Sequence, residues 1–452
     1  MLHAVVRENL QTFLEEARER SEHGLGLPRF VAEEFERYLD CGVLANGFTR
    51  VRCGDCGHDL LVAFSCKRRG VCPSCNTRRM HDTAAHLVDA VIPRVPVRQW
   101  VLSLPRWARW ILARDAQLAS RALALALRAI FAHYRRRAQA IGEEAGRCGA
   151  VTFVQRFGGA LNLNVHFHCI VPDGVFVREG GALRFATLRP PTDEEVQAVL
   201  LRIARRLDRL LRPHRPGTDA ELSSLDIGYA ESVQASLPGG LTEPPRRKRQ
   251  SALVDGFSLH AGVNLHANDR EGLAKLCGYG ARPPFALERL SVLPDGRVCY
   301  RLKRPTADER TELRLAPTEF LRKLASLIPP PRHHLVRFHG VFAPNAAWRK
   351  EVVPSLEPAA PQASSAPAAT VPSLTAAPAA MKAPTRIPRA ELLERLFRFD
   401  VLHCERCGGR MTVLAFLTER ASVKKVLEHL GLPTTGPPVA KARSPVEFDF
   451  AS

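Results

Sequence analysis

The chain has 452 residues, enough for about three domains at ~150 residues each. Lys and Arg outnumber Asp and Glu by 65 to 46, a formal charge of +19, and 45% of the residues are hydrophobic. This excludes a wholly disordered chain, argues against a small-molecule enzyme and points to a polyanionic partner, most simply nucleic acid. The longest apolar stretch, Leu118 to Phe131, is interrupted by Arg121 and Arg128, so no membrane span is expected. Arg7, Glu8, Glu15 and Glu16 occupy the place of a signal peptide's apolar core. A cytoplasmic location is therefore expected, with the 12 Cys as thiols or metal ligands and not as disulfides.

In chain order, Val5, Phe13 and Leu14, then Phe30, Val31, Phe35 and Leu39, recur at helical spacing. A Gly-, Cys- and Arg-rich stretch follows. Val97 to Leu104 reads as a strand and Trp107 to Arg137 as one long helix. Ala150 to Phe157 and Leu161 to Val177 read as strands. Thr192 to Leu211 reads as a helix, opened by a capping box of Thr192 and Glu195. Leu237 to Gln250 reads as an exposed loop carrying Arg246-Arg247-Lys248-Arg249, a solvated face or a DNA contact. Asp269 to Tyr279 reads as a helix stopped by Pro283-Pro284. Leu287 to Leu302 reads as a hairpin turning at Pro294-Asp295-Gly296. Residues 353–388, rich in Ala and Pro, read as a flexible linker.

Cys53-x-x-Cys56 and Cys72-x-x-Cys75, with 15 residues between them, form a spacing that supplies four thiolates to one Zn2+. Cys41 and Cys66 are then left over, as a second site or as packed thiols. Cys404-x-x-Cys407 is half a zinc site, to which His403 could add a ligand and which Cys41 and Cys66, or a second chain, could complete. The run Lys67-Arg68-Arg69 reads equally as phosphate contacts or as a solvated loop.

From Leu161 to Cys169, odd positions are apolar and even positions polar. Such alternation makes a strand, and it puts His166 and His168 on one face, close enough to chelate one divalent ion. Gln155 and His260 are candidates for a third ligand. Tyr279 falls at the edge of the apolar stripe Leu273, Leu276, Cys277, on the side of Lys275, which places its hydroxyl outside the core. Lys275 and Arg282 are candidate phosphate contacts beside it.

These ordered motifs resemble the HUH-type rolling-circle transposases of bacterial insertion sequences, in the insertion-sequence-91 and common-region group. The resemblance runs through Cys41-Gly42, Cys53-Gly54-Asp55-Cys56, Ser65-Cys66-Lys67-Arg68 and Cys72-Pro73-Ser74-Cys75. It continues through Gln99 to Pro105, Val151 to Phe157, His166-Phe167-His168, Asp269 to Pro284 and Asp400 to Gly409.

The resemblance implies an α+β fold. Residues 1–92 would form a helical, zinc-binding module. Residues 93–352 would form an HUH-type catalytic domain, an antiparallel sheet with helices on one face. After the linker, 389–433 would form a small Cys-x-x-Cys module, and 434–452 a disordered tail. It also implies a chemistry: cleavage and rejoining of single-stranded DNA at transposon ends through a 5′-phosphotyrosine on Tyr279. His166 and His168 would hold Mg2+ or Mn2+. Lys275 stands four residues before Tyr279, so a single-tyrosine enzyme is implied; the second strand transfer is then left open, a second protomer in a homodimer being one way to supply it. Location at the bacterial nucleoid follows.

A relaxase or replication initiator shares this chemistry but would bring a helicase or another tyrosine order. A non-catalytic zinc-dependent DNA-binding protein would explain the charge and the thiols. It would leave His166, His168 and Tyr279 unexplained.

Overall fold

The computed structural model describes residues 1–21, 24–215, 249–305, 309–354 and 403–443. The loop expected over 237–250 and the 353–388 linker lie almost entirely outside the described residues.

Helices α1 (Leu2–Glu19) and α2 (Arg29–Leu39) pack through Phe13 and Phe35, whose rings meet edge to face at 5.9 Å. Strands β1 (Phe48–Cys53) and β2 (Asp59–Ala63) follow as a hairpin, and then α3 (Pro73–Ala90).

Strand β3 (Val97–Ser103) opens the central part of the fold. The long helix expected after it is two helices, α4 (Arg106–Arg114) and α5 (Ala116–Gln139). They part at Asp115, whose carboxylate accepts from the N–H groups of Gln117 and Leu118 and so caps a new helix. Strand β4 (Gly149–Phe157) precedes β5 (Leu163–Pro172), and β6 (Gly174–Glu179) and β7 (Ala182–Thr187) form a hairpin.

The single strand expected over Leu161 to Val177 is thus divided. It starts late because Leu161 sits at φ +54°, off the extended backbone. It ends at Asp173, which is held by a buried network. Arg98 donates two hydrogen bonds to the Asp173 carboxylate, at 2.9 and 2.8 Å, and the Tyr134 hydroxyl donates a third at 2.9 Å.

Helix α6 (Asp193–Leu211) carries both halves of its expected capping box. Strands β8 (Ser251–Val254) and β9 (Phe257–Leu265) lead to α7 (Arg270–Ala281). The expected hairpin is β10 (Leu290–Val292) with β11 (Val298–Arg301), and β12 (Glu312–Leu315) joins it as a third strand. Helix α8 (Pro317–Leu327), strand β13 (Val336–Gly340) and the short helix α9 (Arg349–Val352) follow. Beyond residue 402 come β14 (Met411–Leu417) and α10 (Arg420–His429).

The central sheet has six strands in the order β13-β4-β5-β3-β9-β8, and each neighbouring pair is antiparallel. Helices cover both faces, not one as expected. Phe167, Trp100 and Leu102 pack with α4, α5 and α6 on one side. Val151, Phe153 and Ile170 pack with Leu87 of α3 and with Leu273 and Cys277 of α7 on the other.

Strand β14 does not stand apart in a module of its own. It pairs antiparallel with β1 to complete a sheet β14-β1-β2. Of the tail expected to be disordered, residues 434–443 are described, and they lie along α1. The N–H of Ala440 donates to the Arg7 carbonyl, and that of Arg443 to the Thr12 hydroxyl. No helix among the described residues is long and apolar enough to cross a membrane.

Candidate functional site

His166 and His168 lie on β5, the third of the six strands, flanked by β4 and β3. Gln155 and Ser103 pair with His166, while Phe153 and Val101 pair with His168. Period-2 alternation thus turns both imidazoles to one face, with centroids 4.9 Å apart. The His166 Nδ1–H donates to its neighbour Asn164's carbonyl at 2.7 Å, which leaves Nε2 bare as a ligand. Neither ring nitrogen of His168 has a hydrogen-bond partner, though both are buried. Burial pushes the His166 pKa down to about 4 and that of His168 down to about 3, helped at His168 by the charge of His166 and at both by Arg282. Both rings are therefore neutral near pH 7, the form that binds metal.

Tyr279 comes to this pair from α7. Its ring meets that of His168 edge to face at 5.7 Å and is 45% exposed. Three contacts place α7. Arg270 donates to the carbonyls of Val88, Ile92 and Pro93 at the end of α3. Gly280 lets the helix lie against β4, since a Cβ there would stand 2.5 Å from the Phe153 ring. The Gln155 amide nitrogen donates to the carbonyls of Tyr279 and Gly280, at 2.8 and 2.9 Å. It thereby satisfies carbonyls that the helix end leaves orphaned.

The other end of the same amide, Gln155 Oε1, is buried without a partner. Gln155 therefore stands beside the two His with a free carbonyl oxygen. His260 does not join them. It shares a cross-strand row with Val101 and His168, but two strands away, where it lines a cavity of about 670 Å³ with Thr192, Asp193 and Gln250.

The basic candidates divide. The Arg282 guanidinium lies 4.5 Å from the Tyr279 ring centroid, and its buried Nε lacks a partner. Arg69 enters the same cleft, but it already donates to the carbonyls of His333 and Pro330. Arg68 is paired with Glu33, and exposed Lys275 with Glu271. The Lys67 carbonyl accepts from Arg79. Sequence reasoning missed Arg79 and Arg156, which line the cleft beside Arg282. It also missed Arg109, whose charge reaches His166. They come from α3, β4 and α4, and no linear motif links them.

The thiols are arranged differently from the expectation. Cys53, Cys56, Cys72 and Cys75 do not form one site. Cys72 and Cys75, at the start of α3, meet Cys41 and Cys66, with Sγ–Sγ distances of 3.5 Å for Cys41–Cys72 and Cys66–Cys75 and 3.8 Å for Cys41–Cys75. Cys53 and Cys56, carried away at the far end of β1, meet Cys404 and Cys407. The 15 residues between the two motifs hold a whole strand, β2, which separates them. Backbone N–H groups of Cys56 and Asp55 pull the Cys53 pKa down to about 7.

Residues 149–350 match the family model described as "Putative transposase", and residues 9–104 match the "Transposase zinc-binding domain" model of the IS91 type. The chain belongs to the IS91-type transposases. No curated protein and no solved structure matches it. In this transposase the first match contains both His and Tyr279, and the zinc-binding match contains the cluster Cys41, Cys66, Cys72 and Cys75. Four thiolates are a soft, closed donor set that suits structural Zn2+. Cys404 and Cys407 lie outside both matches.

Proposed function

We propose that this transposase moves its element by rolling-circle transposition on an HUH-type sheet, cutting and rejoining single-stranded DNA at the element's ends through Tyr279. One observation carries the reading. The tyrosine meets a pair of buried, neutral imidazoles of which His168 has both nitrogens unpartnered, beside the orphaned Gln155 Oε1.

His166, His168 and Gln155 would hold Mg2+ or Mn2+, a fit supported by two neutral imidazoles and one bare amide oxygen. When bound, the ion supplies positive charge that polarises the scissile phosphate. The Tyr279 hydroxyl loses its proton and attacks the phosphorus, and the P–O3′ bond breaks. The leaving oxygen takes up a proton as a free 3′-OH, and the 5′ phosphate stays on the tyrosine. In the reverse sense a 3′-OH attacks the phosphotyrosine and releases Tyr279, so the bond energy is kept for rejoining. Arg282, with its unpartnered Nε, takes a phosphate oxygen beside the ring. With Tyr279 as the one nucleophilic tyrosine of each chain, a second protomer supplies the second transfer.

The test is a covalent-trapping assay on denaturing gels, with labelled single strands from the element's two ends and Mn2+. A labelled band at protein mass that vanishes in Tyr279→Phe and in H166A/H168A is expected. DNA binding without an adduct on any end would turn the reading to a non-catalytic zinc-dependent DNA-binding protein.

A further inference from the structure

We propose that Cys53, Cys56, Cys404 and Cys407 hold a second zinc ion, which staples residues 403–443 onto the N-terminal β1–β2 hairpin. The inference is independent of the nuclease reading.

Geometry is the first ground. The four sulfurs lie within 4.8 Å of one another, with Cys53–Cys407 at 3.5 Å and Cys56–Cys404 at 3.6 Å. A disulfide would bring sulfurs to about 2.05 Å. Tetrahedral zinc with Zn–S near 2.3 Å sets them roughly 3.8 Å apart.

The second ground is the backbone. Both segments read Cys-x-x-Cys-Gly, and both fold into the same knuckle. Gly57 and Gly408 follow the second Cys at φ +70° and +73°, a conformation that glycine adopts without cost. The N–H of Gly57 donates to the Cys53 carbonyl, and that of Gly408 to the Cys404 carbonyl. The Gly409 N–H donates to the Cys407 sulfur at 3.4 Å. Two matching turns thus aim two thiols each at one point, although 348 residues separate Cys56 from Cys404.

The third ground is what surrounds them. The knuckles meet where Cys53 of β1 pairs with Met411 of β14. Among the described residues, the buried apolar side chains beside the sulfurs are Val51 and Met411, and the other apolar packing of β14 and α10 on β1 lies apart from them, at Phe48, Val423 and Leu427. Four thiols in so small a volume, with little apolar cover, are accounted for by a soft cation. The cluster Cys41, Cys66, Cys72 and Cys75 has its own four ligands and cannot serve both.

The experiment measures metal per full-length chain by mass spectrometry, after purification with zinc and without chelator. Two zinc ions per wild-type chain are expected. C404S/C407S and C53S/C56S should each hold one, and combining all four substitutions should still leave one. One zinc in the wild type, two in C404S/C407S, or iron in place of the second zinc would overturn the site.

A second measurement needs no cysteine variant. A protease site is inserted between Ala366 and Pro367, and the wild-type chain is cut and passed over a sizing column. The C-terminal fragment should co-elute with the body in zinc and separate from it after zinc is removed with EDTA. A fragment that separates in zinc, or stays after the zinc is gone, would overturn the staple.

Discussion

The Tyr279 and His168 rings meet edge to face with centroids 5.7 Å apart, and Gln155 of the neighbouring strand β4 donates to the carbonyl of that same Tyr279. Tyr279→Phe keeps that ring contact and removes one oxygen. Adduct formation should fall by on the order of 10³-fold or more, as for loss of a nucleophile. Stability should stay within about 0.5 kcal/mol, because the ring is partly exposed. Gel trapping and thermal melting check both halves.

Gln155 links the helix to the sheet through its amide nitrogen and leaves its oxygen facing the His pair's side of β4. Gln155→Ala should slow adduct formation roughly 10²-fold, as expected when reacting groups are displaced by about 1 Å. DNA binding in a gel-shift assay should be unchanged. If the oxygen also serves as a ligand, the Mn2+ concentration for half-maximal cleavage rises in the same variant.

Two glycines two residues apart on α7 should respond in opposite directions. At Gly278 a Cβ meets nothing within 4 Å, so Gly278→Ala should stabilise by about 0.5–1 kcal/mol through helix propensity. At Gly280 it collides with the Phe153 ring, so Gly280→Ala should destabilise by about 1–3 kcal/mol and lower cleavage as well. Urea unfolding of the two variants separates the effects.

His133, His333 and His339 are all held far below the ordinary imidazole range by burial, at about 4, 3 and 4. Unfolding returns them to about 6.5, so the unfolded chain binds more protons below that pH. Their contribution is fully present above pH 6.5 and is lost as pH falls toward 4, at up to ~1.4 kcal/mol per pH unit for each ring. Melting temperature followed from pH 7.5 to 4.5 should drop through this window. His333→Gln, which cannot charge, should flatten the slope.

Asp173 shares its carboxylate between the buried Arg98 guanidinium and the Tyr134 hydroxyl. Asp173→Ala strands that guanidinium without its counter-charge and should cost about 3–5 kcal/mol. Equilibrium unfolding measures it, and a cost below 1 kcal/mol would contradict the role.

The strand bearing His166 and His168 is legible in the sequence, because its apolar side chains and the polar ones of the site fall on opposite faces, which imposes a period of two. The α7 helix is legible from its stripe and its stop at Pro283-Pro284. The break at Asp115 is not. The Ala- and Leu-rich pattern runs straight across it, and one capping carboxylate looks like any polar residue. The sharing of thiols is hidden for another reason. Near neighbours in sequence favour pairing Cys53-x-x-Cys56 with Cys72-x-x-Cys75. What decides is the sheet, which carries one knuckle to a partner 348 residues away. The Arg79, Arg109 and Arg156 surroundings of the site are hidden likewise, being assembled from separate elements.

The pairing of β1 with β14 also sets an order of events during synthesis. As β1 leaves the ribosome it has a single neighbour, β2, and an open edge. Its second neighbour does not yet exist, since Cys407 follows Cys53 by 354 residues. At 5–20 residues per second that edge waits roughly 20 to 70 s. A chain cut short after β13 but before β14 can form the six-stranded sheet, but it leaves β1 unpaired on one side. Premature termination is thereby marked at the opposite end of the molecule, on a strand made in the first moments of translation.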